Sequence, residues 1–208
     1  PRLRPGARLL LLAEAGTAAE LAALLAREGW GTSRLTALWH MGGPGEGRRE
    51  APARDWAGET PALTTLAVEC RPDPGTRVLP RRGLPDDCFE SDGTMTKREV
   101  RALTLARLDP RPGELLWDIG LGCGSVAVEW LRAGGGAGWG VEPRGDRRAM
   151  AARNALALGA PGLEIVAGEA PEALEGLPDP DAAFLGGGLS EAAVERARAR
   201  LRPHGRLV

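Results

Sequence analysis

The sequence is nearly without lysine and wholly without tyrosine. Of the 27 basic residues in its 208, one, Lys97, is lysine, and beyond six tryptophans the aromatics are two phenylalanines. Abundant Ala, Gly, Pro and Arg beside so little Lys or Tyr reads as a GC-rich coding bias, so arginine abundance by itself points to no ligand. An excess of one charge is also missing. The formal net charge is -1 with both signs interspersed, which argues against a nucleic-acid partner, since that would favour a basic face. Three cysteines, Cys70, Cys88 and Cys123, stand apart with no C-x-x-C, and the two histidines, His40 and His204, lie far from each other. Neither a disulfide framework nor a Cys/His metal set is expected. No apolar run approaches the roughly 20 residues of a membrane span, and no signal peptide is visible. The expectation is a soluble cytoplasmic protein and a homo-oligomer. The chain opens without Met on PRLRPGARLLLL and stops at GRLV; both ends read as cut from a longer chain.

What is there centres on Leu115 to Ser125, LLWDIGLGCGS. The apolar run Leu115 to Ile119 reads as a buried strand. Gly120, Gly122 and Gly124 follow as a turn, and Val126 to Leu131 as a helix. Strand, glycine-rich turn and helix open a nucleotide-binding α/β domain. A dinucleotide fingerprint, G-x-G-x-x-G, would need a third glycine where Ser125 stands. Asp118, two residues before the first glycine, would repel a pyrophosphate and suits a cationic ligand such as a sulfonium. Glu142 closes the next apolar run 24 residues after Asp118, near the roughly 20-residue offset of a ribose-binding acid. A carboxylate there can accept from both ribose hydroxyls. Glu142 is expected near solvent. An ordinary βα turn with incidental glycines is the competing reading.

Along the chain, Arg8 to Leu12, Ser33 to Met41 and Leu63 to Cys70 read as strands. Thr17 and Glu20 form a capping box for a helix with Leu21, Leu24 and Leu25 on its apolar face, ended by Gly29. Gly42 to Gly47 reads as a flexible turn. Residues 72–82 read as an extended connector, with few contacts to either side expected from Pro72 to Pro80. Thr96 and Glu99 form a second capping box, with Val100, Leu103 and Leu108 inward. That places Thr96 at a helix N-terminus, where free N–H groups can bind a carboxylate; a plain cap is the other reading. A helix is expected from about Asp146 to Leu158 with Met150, Ala151 and Leu158 inward. Leu163 to Ala167 and Ala183 to Leu185 are strands. The second strand runs into Gly186-Gly187-Gly188, which leaves room for a ligand, and Ser190 caps the next helix. The alternation predicts a parallel sheet in the order 3-2-1-4-5 with helices on both faces.

The pieces RLLLL, EGWG, LTALWHMGGPGE and TLAVEC resemble, in that order, the C-terminal half of a tetrapyrrole methylase domain, over residues 1–71. GLPDDCFESDGTMTKREVRALTLARL, DIGLGCGSVAVEW, GVEP, GEAPEAL and AAFLGGG resemble the decarboxylating precorrin methyltransferase domain of cobalamin biosynthesis, over residues 83–208. The fold so implied is α/β. A Rossmann-like S-adenosylmethionine-dependent methyltransferase domain, lacking its last strands, follows a partial α/β tetrapyrrole methylase lobe.

The resemblance implies methyl transfer from S-adenosylmethionine to bridging carbons of precorrin-6Y, with loss of carbon dioxide from an acetate side chain. The second domain is then associated with the C15 transfer and the decarboxylation, the first with C5. Cofactor contacts are implied for Thr96, Asp118, Gly120, Leu121, Gly122, Cys123, Gly124, Glu142, Glu169 and Ala170. Cys123 is a small filler in the turn, and Ala170 lies against the adenine. Glu169 either meets the adenine amine or is a solvated helix-start acid before Pro171. Lys97, Arg98, Arg101 and Gly187 are candidates for the polycarboxylate tetrapyrrole, with solvated surface positions as the alternative for the cations. No metal is assigned, since the cysteines and histidines are scattered, and no general base, because an electron-rich carbon can attack a sulfonium methyl through positioning. No nucleic-acid or membrane partner is expected. Open alternatives are another small-molecule or RNA methyltransferase, or an inactive module that binds cofactor or a partner.

Overall fold

The computed structural model describes residues 3–208. The first two residues of the expected 1–71 lobe lie outside them. The chain divides into two compact units, one up to Leu79 and the other Pro80–Val208.

The first unit holds β1 (Arg8–Ala13), α1 (Thr17–Arg27), β2 (Arg34–Trp39), β3 (Gly47–Pro52) and β4 (Thr64–Glu69). Its sheet runs β1-β4-β2-β3 with every pair antiparallel. Thr64, Leu66 and Val68 alternate inward on β4, and α1 contributes Ala18, Ala22 and Leu25. α1 ends as expected at Gly29, whose φ is 79°. Gly29 N–H donates to Ala26 and Trp30 N–H to Leu25, a Schellman closure that satisfies the last carbonyls. The Thr17 capping box does not form: Gly16 takes the N-cap position, and no side chain caps the helix. Leu24 faces outward. β3 was not expected. Its polar sequence GRREAP lies on a sheet edge, where Arg48 and Glu50 alternate outward.

The connector is fastened, not free. Asp73 accepts the Gly31 and Thr32 N–H groups at 3.1 and 2.7 Å and Arg54 at 3.1 Å. Thr76 donates to the Gly29 carbonyl at 2.8 Å. At its far end, Pro80 accepts from Arg132 at 2.7 Å within the second unit. The acid and hydroxyl that make the stretch look polar are used on loop backbone instead of water.

The second unit holds α2 (Arg98–Leu108), β5 (Leu115–Ile119), α3 (Ser125–Ala133), β6 (Ala137–Glu142), α4 (Gly145–Ala157), β7 (Leu163–Ala167), β8 (Ala182–Leu185), α5 (Glu191–Arg200) and β9 (Arg206–Leu207). The sheet order is β7-β6-β5-β8-β9, all parallel, the expected 3-2-1-4-5. Trp117, Ile119, Val141 and Ala183 pack with Leu174 and with Ala197 of α5. α3 packs over β5 and β6, with α2 and α4 beside it. Met150, Ala151 and Leu158 are inward and Ser190 Oγ accepts from Ala193 N, both as expected. α2 is rotated from the expectation. Arg101, Thr104, Leu105 and Leu108 are buried, while Val100 and Leu103 are exposed. Among the described residues, no helix is long and apolar enough to cross a membrane.

Candidate functional site

The turn between β5 and α3 is a close crossing of backbones. Gly120, Gly122 and Gly124 have φ of 77°, 56° and 78°, values that side chains strain to adopt. The Gly120 and Leu121 N–H groups both donate to Val141 O at 3.0 Å, tying the turn to β6. A Cβ on Gly120 would stand 2.3 Å from Gly188 N and 2.8 Å from Gly187 N. Glycine at 120 is therefore required by the turn after β8, not by a ligand. Gly187 differs, since a Cβ there would meet nothing within 4 Å.

Two acids brace this turn. Asp118 is buried, and its Oδ2 accepts the Ala127 N–H at 3.0 Å. It thus satisfies an orphan donor in the first turn of α3, a task the sequence did not reveal. Burial pushes its carboxyl up to about 7; the Ala127 N–H opposes this, and the nearby Glu142 charge adds to it. Glu142 ends β6 and faces the turn, as expected. It is 3% exposed, not near solvent. Its Oε2 accepts from Gly122 N at 2.9 Å and its Oε1 from Arg144 N at 3.1 Å. Each carboxylate oxygen keeps a further acceptor position.

A strap of residues 83–97 crosses in front of α3. Its inner end is clamped by a buried ion pair. Arg101 Nε donates to Glu129 Oε1 at 2.7 Å, and Glu129 also accepts the Gly83 and Leu84 N–H groups at 2.5 and 3.0 Å. The Arg101 fork reaches Asp86 at 3.1 Å, Thr96 O at 2.6 Å and Leu84 O at 2.5 Å, and lies over the Phe89 ring at 4.8 Å. The P-D-D-x-F segment is thereby held. The buried Asn154 of α4 accepts from Glu90 N and donates to Glu90 O and to Cys123 O, each at 2.9 Å. One side chain thus sets the strap against the glycine turn. At the outer end Asp92 accepts from Arg147 Nε at 2.8 Å.

Two cavities of about 350 and 410 Å³ open at the C-terminal ends of the strands, the ligand-binding end of an open α/β sheet. The first is lined by Glu142, Gly168, Glu169 and Ala170. The second is lined by Thr94 to Lys97, Asp118 and Gly120 to Cys123. Gly120, Arg147 and Gly187 border both.

The structure thus brings together nearly all the cofactor candidates. Thr96, Asp118, Leu121, Gly122 and Cys123 fall on one cavity, Glu142, Glu169 and Ala170 on the other, and Gly120 on both; Gly124 borders neither. Thr96 corrects its reading as a cap: Lys97 occupies the N-cap of α2, and no side chain caps it. Cys123 is buried filler, its thiol pushed up by burial. Only a short 3-10 turn, Glu172–Leu174, follows Pro171.

Of the substrate candidates, Lys97 and Gly187 line a cavity. Arg98 does not, and its Nε is turned to Gly83 O at 3.0 Å. Arg101 is 0% exposed, with its donors spent on the strap, and it is withdrawn as a substrate contact. Arg147, Asn154 and Glu129 were missed. Two of them carried a signal: Glu129 is a lone acid in the apolar run of α3, and Asn154 shares the inward stripe of Met150 and Ala151.

The precorrin methyltransferase domain model matches residues 87–208. The chain is 49% identical over 213 residues to a precorrin-6Y C(5,15)-methyltransferase [decarboxylating] from Sinorhizobium sp, covering 100% of this chain and 52% of that one. It is 38% identical over 199 residues to the protein of the same name from Mycobacterium tuberculosis (strain CDC 1551 / Oshkosh), covering 93% and 49%. The chain spans about half the length of the curated relatives it matches. Among solved structures, the C-terminal domain of precorrin-6Y C5,15-methyltransferase from Rhodobacter capsulatus superposes with a TM-score of 0.59 at 47% identity. That match covers 62% of this chain and 71% of the other.

Proposed function

The chain belongs to the precorrin methyltransferase domain family, and on that premise we propose that Pro80–Val208 binds S-adenosylmethionine across the two joined cavities. It transfers the methyl group to a bridging carbon of precorrin-6Y, C15, with loss of carbon dioxide from an acetate side chain. The observation that carries this is Glu142. It sits at the end of β6 on the cavity wall, with one edge on the Gly122 N–H and acceptor positions to spare.

The residues present fit the cofactor. Glu142 takes the ribose hydroxyls, and Gly168, Glu169 and Ala170 border the adenine. Gly120 to Cys123, Asp118 and Thr96 surround the amino-acid end. The cofactor supplies an electrophilic methyl on a sulfonium. The protein's part is positioning, which can contribute roughly 7–11 kcal/mol when reacting atoms are held in line. The strap, fixed by Arg101, Glu129 and Asn154, forms the wall on the side of the second cavity where Lys97 meets an acid arm of the tetrapyrrole.

Residues 1–71 are the C-terminal half of a tetrapyrrole methylase domain, joined through residues 72–82, and belong to the C5 transfer. The tetrapyrrole is the partner. A net charge of -1 gives no basis for a nucleic acid. The setting is cytoplasmic and the protein a homo-oligomer.

The test is incubation of this chain with precorrin-6Y and S-adenosylmethionine carrying a labelled methyl group. Mass spectrometry should show one labelled methyl gained and one carboxyl lost. Label recovered in no tetrapyrrole, while the chain binds both ligands, would reject the assignment.

A further inference from the structure

Arg147 of α4 is the one charged side chain among the described residues that borders both cavities. It is 21% exposed, and its Nε and Nη2 converge on a single oxygen, Asp92 Oδ2, at 2.8 and 2.7 Å. Its Nη1 has no hydrogen-bond partner among the described residues. A guanidinium offers five donors in a fixed fork suited to a carboxylate edge, so two-point contact with one oxygen leaves that capacity unused. The other cations near the cavities are placed differently. Lys97 borders only the second cavity. Arg144 borders only the first and is paired with Asp146 at 2.5 Å, with its Nη1 3.9 Å from the same Asp92 Oδ2.

We infer that Arg147 is a carboxylate-binding residue of this site, with Asp92 as the protein acid that occupies it until a ligand carboxylate arrives. The inference rests on the methyltransferase reading and adds the anchor that reading lacks. That reading brings carboxylates from two sources, the amino-acid end of the cofactor and the acid arms of the tetrapyrrole. Either would meet Arg147 where the cavities join, over Gly120 and Gly187. Displacement does not strand Asp92, which keeps the Thr94 N–H on Oδ1 at 3.0 Å and has Arg144 Nη1 at 3.9 Å from Oδ2.

Calorimetric titration of the chain separates the sources. The probes are S-adenosylhomocysteine, 5′-methylthioadenosine (which lacks the amino-acid group) and uroporphyrin III. If the cofactor carboxylate is bound, Arg147→Gln weakens S-adenosylhomocysteine about tenfold and leaves 5′-methylthioadenosine unchanged. If the tetrapyrrole is bound, it weakens uroporphyrin III by a similar factor and spares both nucleosides. Arg147→Lys recovers part of either loss. An unchanged affinity for all three, or an equal loss for both nucleosides, overturns the assignment. Asp92→Asn removes the competing acid and should tighten the same ligand. It decides the matter should Arg147→Gln not fold: unchanged or weaker binding there also overturns the inference. A wild-type chain that binds neither nucleoside overturns the cofactor reading itself, a result distinct from any Arg147 outcome.

Discussion

Glu129 and Arg101, on neighbouring helices and both out of contact with water, form a 2.7 Å ion pair whose remaining hydrogen bonds all go to the strap or its start. Breaking a buried pair by removing one partner leaves an uncompensated charge, a cost of about 3–5 kcal/mol. Arg101→Leu should lose stability in that range by urea unfolding and should release the strap to hydrogen exchange at Gly83 and Leu84. A loss below about 1 kcal/mol would mean that water replaces the arginine and the clamp is not structural.

Gly120 and Gly187 make opposite predictions although both border the cavities. Gly120→Ala forces a methyl against the backbone of Gly187 and Gly188 at a positive φ, and the chain should lose the turn or fail to fold. Gly187→Ala projects into open space. Its melting temperature should change little, by an amount worth roughly 0.5 kcal/mol or less, while ligand affinity falls. Equal stability of the two variants would contradict the close crossing.

Asp118 carries a pH signature of definite sign. Its folded carboxyl is raised by burial from the ordinary 3.8 to about 7, so the folded state holds the proton more tightly than the unfolded one. Its contribution favours folding below about pH 4 and is lost as pH rises towards 7, by on the order of 4 kcal/mol at most. Asp118→Asn removes that slope. The difference between wild-type and variant stability, followed by thermal unfolding from pH 4 to 8, should therefore change with pH. A flat difference would show that Asp118 is already ionised in the fold.

Much of the second unit was legible because its signals are local. Short apolar runs separated by glycines give parallel strands, and the acid closing the second run places Glu142 beside the turn. The side chains that join distant segments were not legible in this way. Arg101 reads as a surface cation on α2, since nothing local says that Glu129, 28 residues on, neutralises it. Val100 and Leu103 then looked like the buried face in its place. Thr96 and Thr17 had capping-box spacing, yet the backbone entered each helix one position away. β3 is polar because it is an edge, so hydrophobic alternation could not mark it. Glu142 was found, but its burial was missed because its partners are backbone N–H groups that no sequence pattern displays.

The claim on which the rest depends is that Glu142 holds the cofactor's ribose while bracing the Gly122 turn. Glu142→Ala would strand the Gly122 and Arg144 N–H groups and cost roughly 1–3 kcal/mol of stability, so Glu142→Gln, which keeps an acceptor, is the better variant. The measurement is calorimetric titration of wild type and Glu142→Gln with S-adenosylmethionine and S-adenosylhomocysteine. A charge-assisted hydrogen bond to the ribose is worth roughly 1.5–3 kcal/mol. Both ligands should therefore bind the variant about one to two powers of ten more weakly, by the same factor, because the ribose is common to them. Wild-type affinity of the variant for both ligands would contradict the account.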